Sequence, residues 1–165
     1  MATLKEDIKT QSNWIVKAFA ADKFKLDYTI DSIIEVDRFF EENMIGSKPR
    51  KGGRLAKKGY GSILFSIGSY VGETIIKNIK GSQWITNDRD PQGELNVSLK
   101  LPNDVEIWPI QKVMKRFQNG NEDAIYPYVH AVTKDLINHP FNESFWAVAA
   151  DESKSYNKKP WWKFW

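Results

Sequence analysis

Apolar positions in this chain follow two periods, and the change between them divides it. From Lys5 to Lys23, Ile8, Trp14, Ile15, Ala18, Phe19 and Ala21 recur at roughly helical spacing, which predicts an amphipathic helix. A second helix follows Leu26-Asp27-Tyr28-Thr29, where Thr29 or Asp27 can cap it. Ile30, Ile33, Ile34, Val36, Phe39 and Phe40 form its apolar side, and Gly46 ends it. Gly61 to about Lys80 is apolar nearly all round, as befits a helix in the centre of a domain. Its Gly68 and Gly72 lie one turn apart on one face, where a missing side chain lets another element approach closely.

The period then shortens to two. Trp84–Thr86, Leu95–Leu101 and Val105–Trp108 alternate apolar and polar residues, and the turn-forming stretches 87–93 and 102–104 separate them. This predicts a small antiparallel meander. Helical spacing returns after Pro109, which suits a first turn, with Ile110, Val113, Met114 and Phe117 inward until Asn119-Gly120. Glu122 and Asp123 favour another helix start, with Ile125, Val129, Val132 and Leu136 inward to about Ile137. A short helix is expected at 142–150. The fold class is therefore α+β: N-terminal helices, a small antiparallel meander, then C-terminal helices around one core. One domain, 1–150, carries a flexible basic loop at 46–60 and a basic aromatic tail at 151–165.

Composition adds exclusions. The chain has 165 residues, 13% of them aromatic, which is enough to bury a core and rules out a wholly disordered chain. The absence of cysteine removes disulfides, thiol nucleophiles and thiolate metal sites together. A polar start and no long apolar run argue against a secretory signal or a membrane span, so the expected location is the cytoplasm. The net charge of +3 is unevenly placed. Residues 46–60 contribute +6 and 151–165 contribute +2, leaving −5 on the rest. The body is acidic and its two attachments are basic.

Three stretches together resemble a known pattern. They are Leu26-Asp27-Tyr28-Thr29-Ile30-Asp31-Ser32; Gly68-Ser69-Tyr70-Val71-Gly72-Glu73 leading to Trp84; and Trp108-Pro109 with Lys112, then Asn119-Gly120-Asn121-Glu122-Asp123-Ala124-Ile125. In order and spacing the chain resembles a widespread group of uncharacterised, mainly bacterial single-domain proteins without assigned function. The resemblance covers about residues 26–133. It implies an α+β domain and carries over no activity. Some small proteins of this sort accompany secreted toxins as immunity proteins, an analogy of size and class.

The catalytic motifs fail on spacing. Gly68-Ser69-Tyr70-Val71-Gly72 puts serine directly after the first glycine, unlike a nucleophile elbow, so packing glycines are the better reading. Residues 52–58 lack the Gly-Lys-Ser/Thr of a phosphate loop. His130 and His139 stand near no evident carboxylate set, and Asp88, Asp90 and Glu94 lack calcium-loop spacing and read as a solvated turn. No catalytic residue, metal ligand or cofactor is assigned.

Three candidate sites remain. Glu73, on an otherwise apolar helix, needs a partner such as Lys112 or Arg116, or else centres a pocket with Tyr70, Trp84 and Trp108. Arg50, Lys51, Arg54, Lys57 and Lys58 could bind phosphate, although only Tyr60 offers a stacking ring. Trp161, Trp162, Phe164 and Trp165 flank Lys163 and could dock on the domain itself, on a second copy, on a partner protein or on a membrane surface. The expected function is a non-enzymatic intracellular protein-binding module, an immunity, inhibitor or adaptor protein whose partner meets its acidic surface. A nucleic-acid-associated protein using the basic loop is the alternative, followed by an enzyme with a pocket at Glu73.

Overall fold

Thr3 starts the first helix with a capping box. Its hydroxyl accepts the Glu6 N–H at 3.2 Å, and the Glu6 carboxylate accepts the Thr3 N–H at 2.9 Å. The computed structural model describes residues 2–149. Helix α1 (Leu4–Ala21) buries Leu4, Ile8, Ile15 and Phe19 as one stripe. Trp14 stands about 100° round the helix from Ile15 and is 47% exposed, so its spacing did not bring it into the core.

Thr29 caps one 3-10 turn, Ile30–Ser32, which runs straight into α2 (Ile33–Asn43). Segment 46–60, expected as a flexible loop, is docked on the domain. β1 (Met44–Ile45) pairs with β2 (Lys48–Pro49) around Gly46, and a 3-10 turn follows at Arg54–Ala56. Leu55 there is 1% exposed, and Arg54 donates two hydrogen bonds to the Asp22 carboxylate at 2.9 and 2.8 Å. Burying one leucine contributes about 1.5–3 kcal/mol, which can hold a short segment whose lysines still point outward.

Helix α3 (Tyr60–Asn78) is central, packed by α1 and by α5 (Pro109–Asn119). Gly68 and Gly72 explain how closely. An ideal Cβ on Gly68 would lie 2.7 Å from the Ile110 Cα, and one on Gly72 would lie 2.0 Å from the Trp84 ring. Trp84 comes from β3 (Gln83–Ile85). With β4 (Ser98–Lys100) and β5 (Glu106–Ile107) it forms the expected antiparallel meander, in that order.

The strand expected from Leu95 begins only at Ser98. Gly93–Asn96 instead make one helical turn, α4, because the Asp90 carboxylate accepts the Gln92 N–H and the Asn96 amide. The helix expected over 122–137 is also shorter. A 3-10 turn at Gly120–Asp123 precedes α6 (Ile125–Thr133). Asp37, on α2, starts α6 from a distance by accepting the Ile125 and Tyr126 N–H groups at 2.8 and 2.7 Å. Arg116 of α5, 1% exposed, donates to Asp37 at 3.4 Å and to Glu41 at 2.9 Å. Burial pushes the Asp37 carboxyl up, while the two N–H groups and Arg116 pull it back. Residues 145–149 are helical and Phe145 is buried. Among the described tryptophans only Trp84 joins the core; Trp108 and Trp146 are 41% and 56% exposed.

Candidate functional site

The pocket expected around Glu73 does not assemble as drawn. Glu73 is 7% exposed and makes no hydrogen bond or ion pair among the described residues. Lys112 pairs with Asp123 at 3.1 Å and Arg116 with Asp37 and Glu41, so neither suggested partner serves it. Trp84 is spent against Gly72, Trp108 faces outward, and the Tyr70 hydroxyl bonds Ser32 and the Tyr28 N–H. Asp123 to Lys112, Ile125 to Asp37, Tyr28 to Tyr70 and Trp84 on Gly72 join the three motif stretches to each other or to the core. Much of what looked distinctive in the sequence is jointing.

A different set of residues forms a broad concave surface. A groove of about 1040 Å³ runs between the starts of α1 and α3, the turn 87–95 and α5. Its floor is Leu64 and Ile110, both buried, with the half-buried Phe65 and Met114; Tyr60 and Leu95 stand exposed beside it. Asp7, Asp88, Asp90 and Glu94 line it, and no lysine or arginine does.

Local chemistry places each carboxylate. Asp7 lies in the first turn of α1, where a negative charge suits the helix end. Asp88 accepts the Leu4 N–H at 2.7 Å and so clamps the turn onto that same helix start. Gly93 allows the turn to close, since a Cβ there would meet the Asn87 carbonyl at 2.8 Å. Hydrogen bonds from the Asn96 amide and the Gln92 N–H hold the Asp90 carboxyl below its usual value. The Gln111 amide donates to the Leu95 carbonyl at 2.9 Å and fastens the turn to α5. Asp7 and Glu94 make no side-chain hydrogen bond or ion pair among the described residues, so their charge is available to a ligand. Four anions around an apolar floor can attract a cationic segment and bury its apolar side chains.

Sequence reasoning had the acidic turn but read it as solvated, and it did not join Asp7 to it. The signal was the acidic character of the body once the basic segments were set aside.

Among the phosphate-binding candidates, Arg54 is engaged by Asp22, while Arg50, Lys51, Lys57 and Lys58 are exposed. Trp161, Trp162, Phe164 and Trp165 lie outside the described residues. His130 and His139 do meet, with ring centres 4.8 Å apart, but among the described residues no group of three or more acidic or histidine side chains could hold a metal ion. No described helix is long and apolar enough to cross a membrane. No family model matches the chain, and neither a curated protein nor a solved structure does.

Proposed function

We propose that this protein is a non-enzymatic protein-binding module whose groove between α1, α3, α5 and the turn 87–95 takes a cationic, apolar-bearing segment of another protein. One observation carries the reading: Asp7, Asp88, Asp90 and Glu94 surround an apolar floor that no lysine or arginine lines. Charge of one sign steers a basic partner and rejects acidic ones, and apolar contact then slows its release. An inhibitor or adaptor acting in the cytoplasm, including one that neutralises a basic toxin, is the concrete form of this role. The nucleic-acid alternative has less behind it, because Arg54, one of its five candidate cations, is committed to Asp22.

The test is peptide selection on the full chain. Panning a random peptide display library should enrich sequences that combine lysine or arginine with aromatic or aliphatic residues. Asp7→Lys with Glu94→Lys should weaken the selected peptides about tenfold, since each reversal turns an exposed attraction into a repulsion. Peptides without charge bias, or with equal affinity for that variant, would rule the groove out.

A further inference from the structure

A second cavity lies along the other half of α1 and shares no lining residue with the acidic groove. It measures about 350 Å³ and is bounded by α1, Phe39 of α2 and the segment 54–63. Its floor is apolar: Ile15, Phe19 and Phe39 are each 2% exposed or less. Ala18 keeps the wall thin, and the Trp14 ring stands at the edge, 47% exposed. The mouth has the opposite sign from the groove. Arg54, Lys57 and Lys58 line it against one carboxylate, Asp22.

That carboxylate is already used. Two hydrogen bonds from Arg54 occupy both Asp22 oxygens, whereas Lys57 and Lys58 make no hydrogen bond or ion pair among the described residues. Two cations therefore stand uncompensated at the lip of an apolar cavity. The start of α3 beside them has no acidic residue in its first turn and no side-chain cap, so the helix start adds no negative charge there. The volume is at the lower end of the range for small-ligand pockets, and an apolar body with few polar anchor points is what such pockets hold.

We propose that this cavity binds a small amphiphilic anion: a medium acyl chain or a flat ring system seated on Ile15, Phe19 and Phe39 beside Trp14, with a carboxylate or phosphate head at Lys57 and Lys58. The assignment also gives the basic segment a purpose that a nucleic-acid reading does not. Leu55 and the Arg54–Asp22 pair dock the segment, and that docking brings Lys57 and Lys58 to the cavity instead of leaving them dispersed in solvent. A cationic ligand of the same shape is repelled at the mouth, and a neutral one finds no anchor there.

Calorimetric titration of the full chain tests this with decanoate and 1-naphthyl phosphate, each below its aggregation concentration, against decyltrimethylammonium. At least one anion should bind at one per chain, and the ammonium compound at least about tenfold more weakly. Decanoate alone would identify an acyl carboxylate as the natural class, and naphthyl phosphate alone an aryl phosphate. Lys57→Glu with Lys58→Glu should lower anion affinity about tenfold without altering the circular dichroism spectrum. Ala18→Trp should fill the cavity and abolish binding. The proposal fails if neither anion binds, if the ammonium compound binds as well, or if both variants bind like the parent. Since the acidic groove is untouched by these changes, peptide binding there should persist, which separates failure here from failure of the protein-binding reading.

Discussion

The phenolic oxygen of Tyr70 accepts the backbone N–H of Tyr28 at 2.8 Å, and Tyr28 sits in the left-handed region at φ 62°. The direction of the remaining bonds follows. Ser32 Oγ donates to the Thr29 carbonyl at 2.6 Å, so it receives the Tyr70 proton, giving a relay from Tyr28 N–H through Tyr70 and Ser32 to Thr29. Burial pushes the Tyr70 phenol up, which keeps it a donor. Asn78 completes the clasp by donating to the Tyr28 carbonyl at 2.8 Å. A bulky residue is rare at positive φ, and here its surroundings over-determine the conformation.

Tyr70→Phe should therefore destabilise the protein by about 1–3 kcal/mol, the cost of leaving buried polar groups without partners. Urea denaturation would show a lower midpoint with an unchanged slope. Tyr70→Leu adds the loss of ring packing against Tyr28, whose ring centre lies 4.9 Å away, and should cost more.

Asp37 joins three helices. It stands on α2, starts α6 through two N–H bonds and meets Arg116 of α5. Removing one partner strands the others, so Asp37→Ala should cost about 3–5 kcal/mol. Hydrogen exchange would locate the effect: the Ile125 and Tyr126 amides should lose protection before those of α3.

Joints of this kind mark where sequence reasoning succeeded and stopped. Gly68 and Gly72 were legible because their spacing puts both on one face, and the meander because its period is two. Trp14 was misread because hydrophobicity was weighed ahead of angle on the helix. Leu55 was missed because a single apolar residue among lysines has no period. The α4 turn hid inside an alternating stretch, since Asp90 overrides that pattern with two side-chain bonds. The groove was harder still. Asp7 and Glu94 are far apart in the chain, and the bond from Leu4 to Asp88, with the Leu4 side chain beside Gly93, brings their segments together.

Gly72 and Gly61 make a matched pair within α3. A methyl group on Gly72 would overlap the Trp84 ring, so Gly72→Ala should destabilise by about 1–3 kcal/mol and displace the indole. The Trp84 contribution to near-ultraviolet circular dichroism should weaken accordingly. At Gly61 nothing lies within 4 Å of an added Cβ and the backbone is ordinary for a helix. Gly61→Ala should stabilise by about 0.4–1 kcal/mol, chiefly by restricting the unfolded chain. Equal effects at the two sites would show that helix propensity, not close approach, governs both.

His139 sets the last expectation. Burial lowers its pKa from the ordinary 6.5, and the neighbouring His130 adds to this while Asp31 opposes it. Its Nε2 lies 3.0 Å from the Thr133 hydroxyl, and because that hydroxyl donates to the Val129 carbonyl, the ring nitrogen is the donor to it. His130 Nε2 in turn contacts the His139 carbonyl at 3.2 Å, so the two rings latch the end of α6 to the segment beyond it. The folded state prefers neutral His139. Between the lowered value and 6.5 the unfolded chain binds more protons, so this contribution is complete above 6.5 and is lost as pH falls below it towards the lowered value. The lowered carboxyls, Asp22, Asp27, Asp90 and Asp123, lose their contributions only below the ordinary carboxylate value of 3.8, whereas Asp37, raised by burial, acts with the opposite sign above 3.8, because the folded state keeps its proton longer and loses stability as pH rises. The histidine is therefore read as a difference: between about pH 5 and 7, His139→Asn should lose less melting temperature than the parent as pH is lowered, with the acid limb below unchanged. An identical pH dependence in parent and variant would place the titrating group elsewhere.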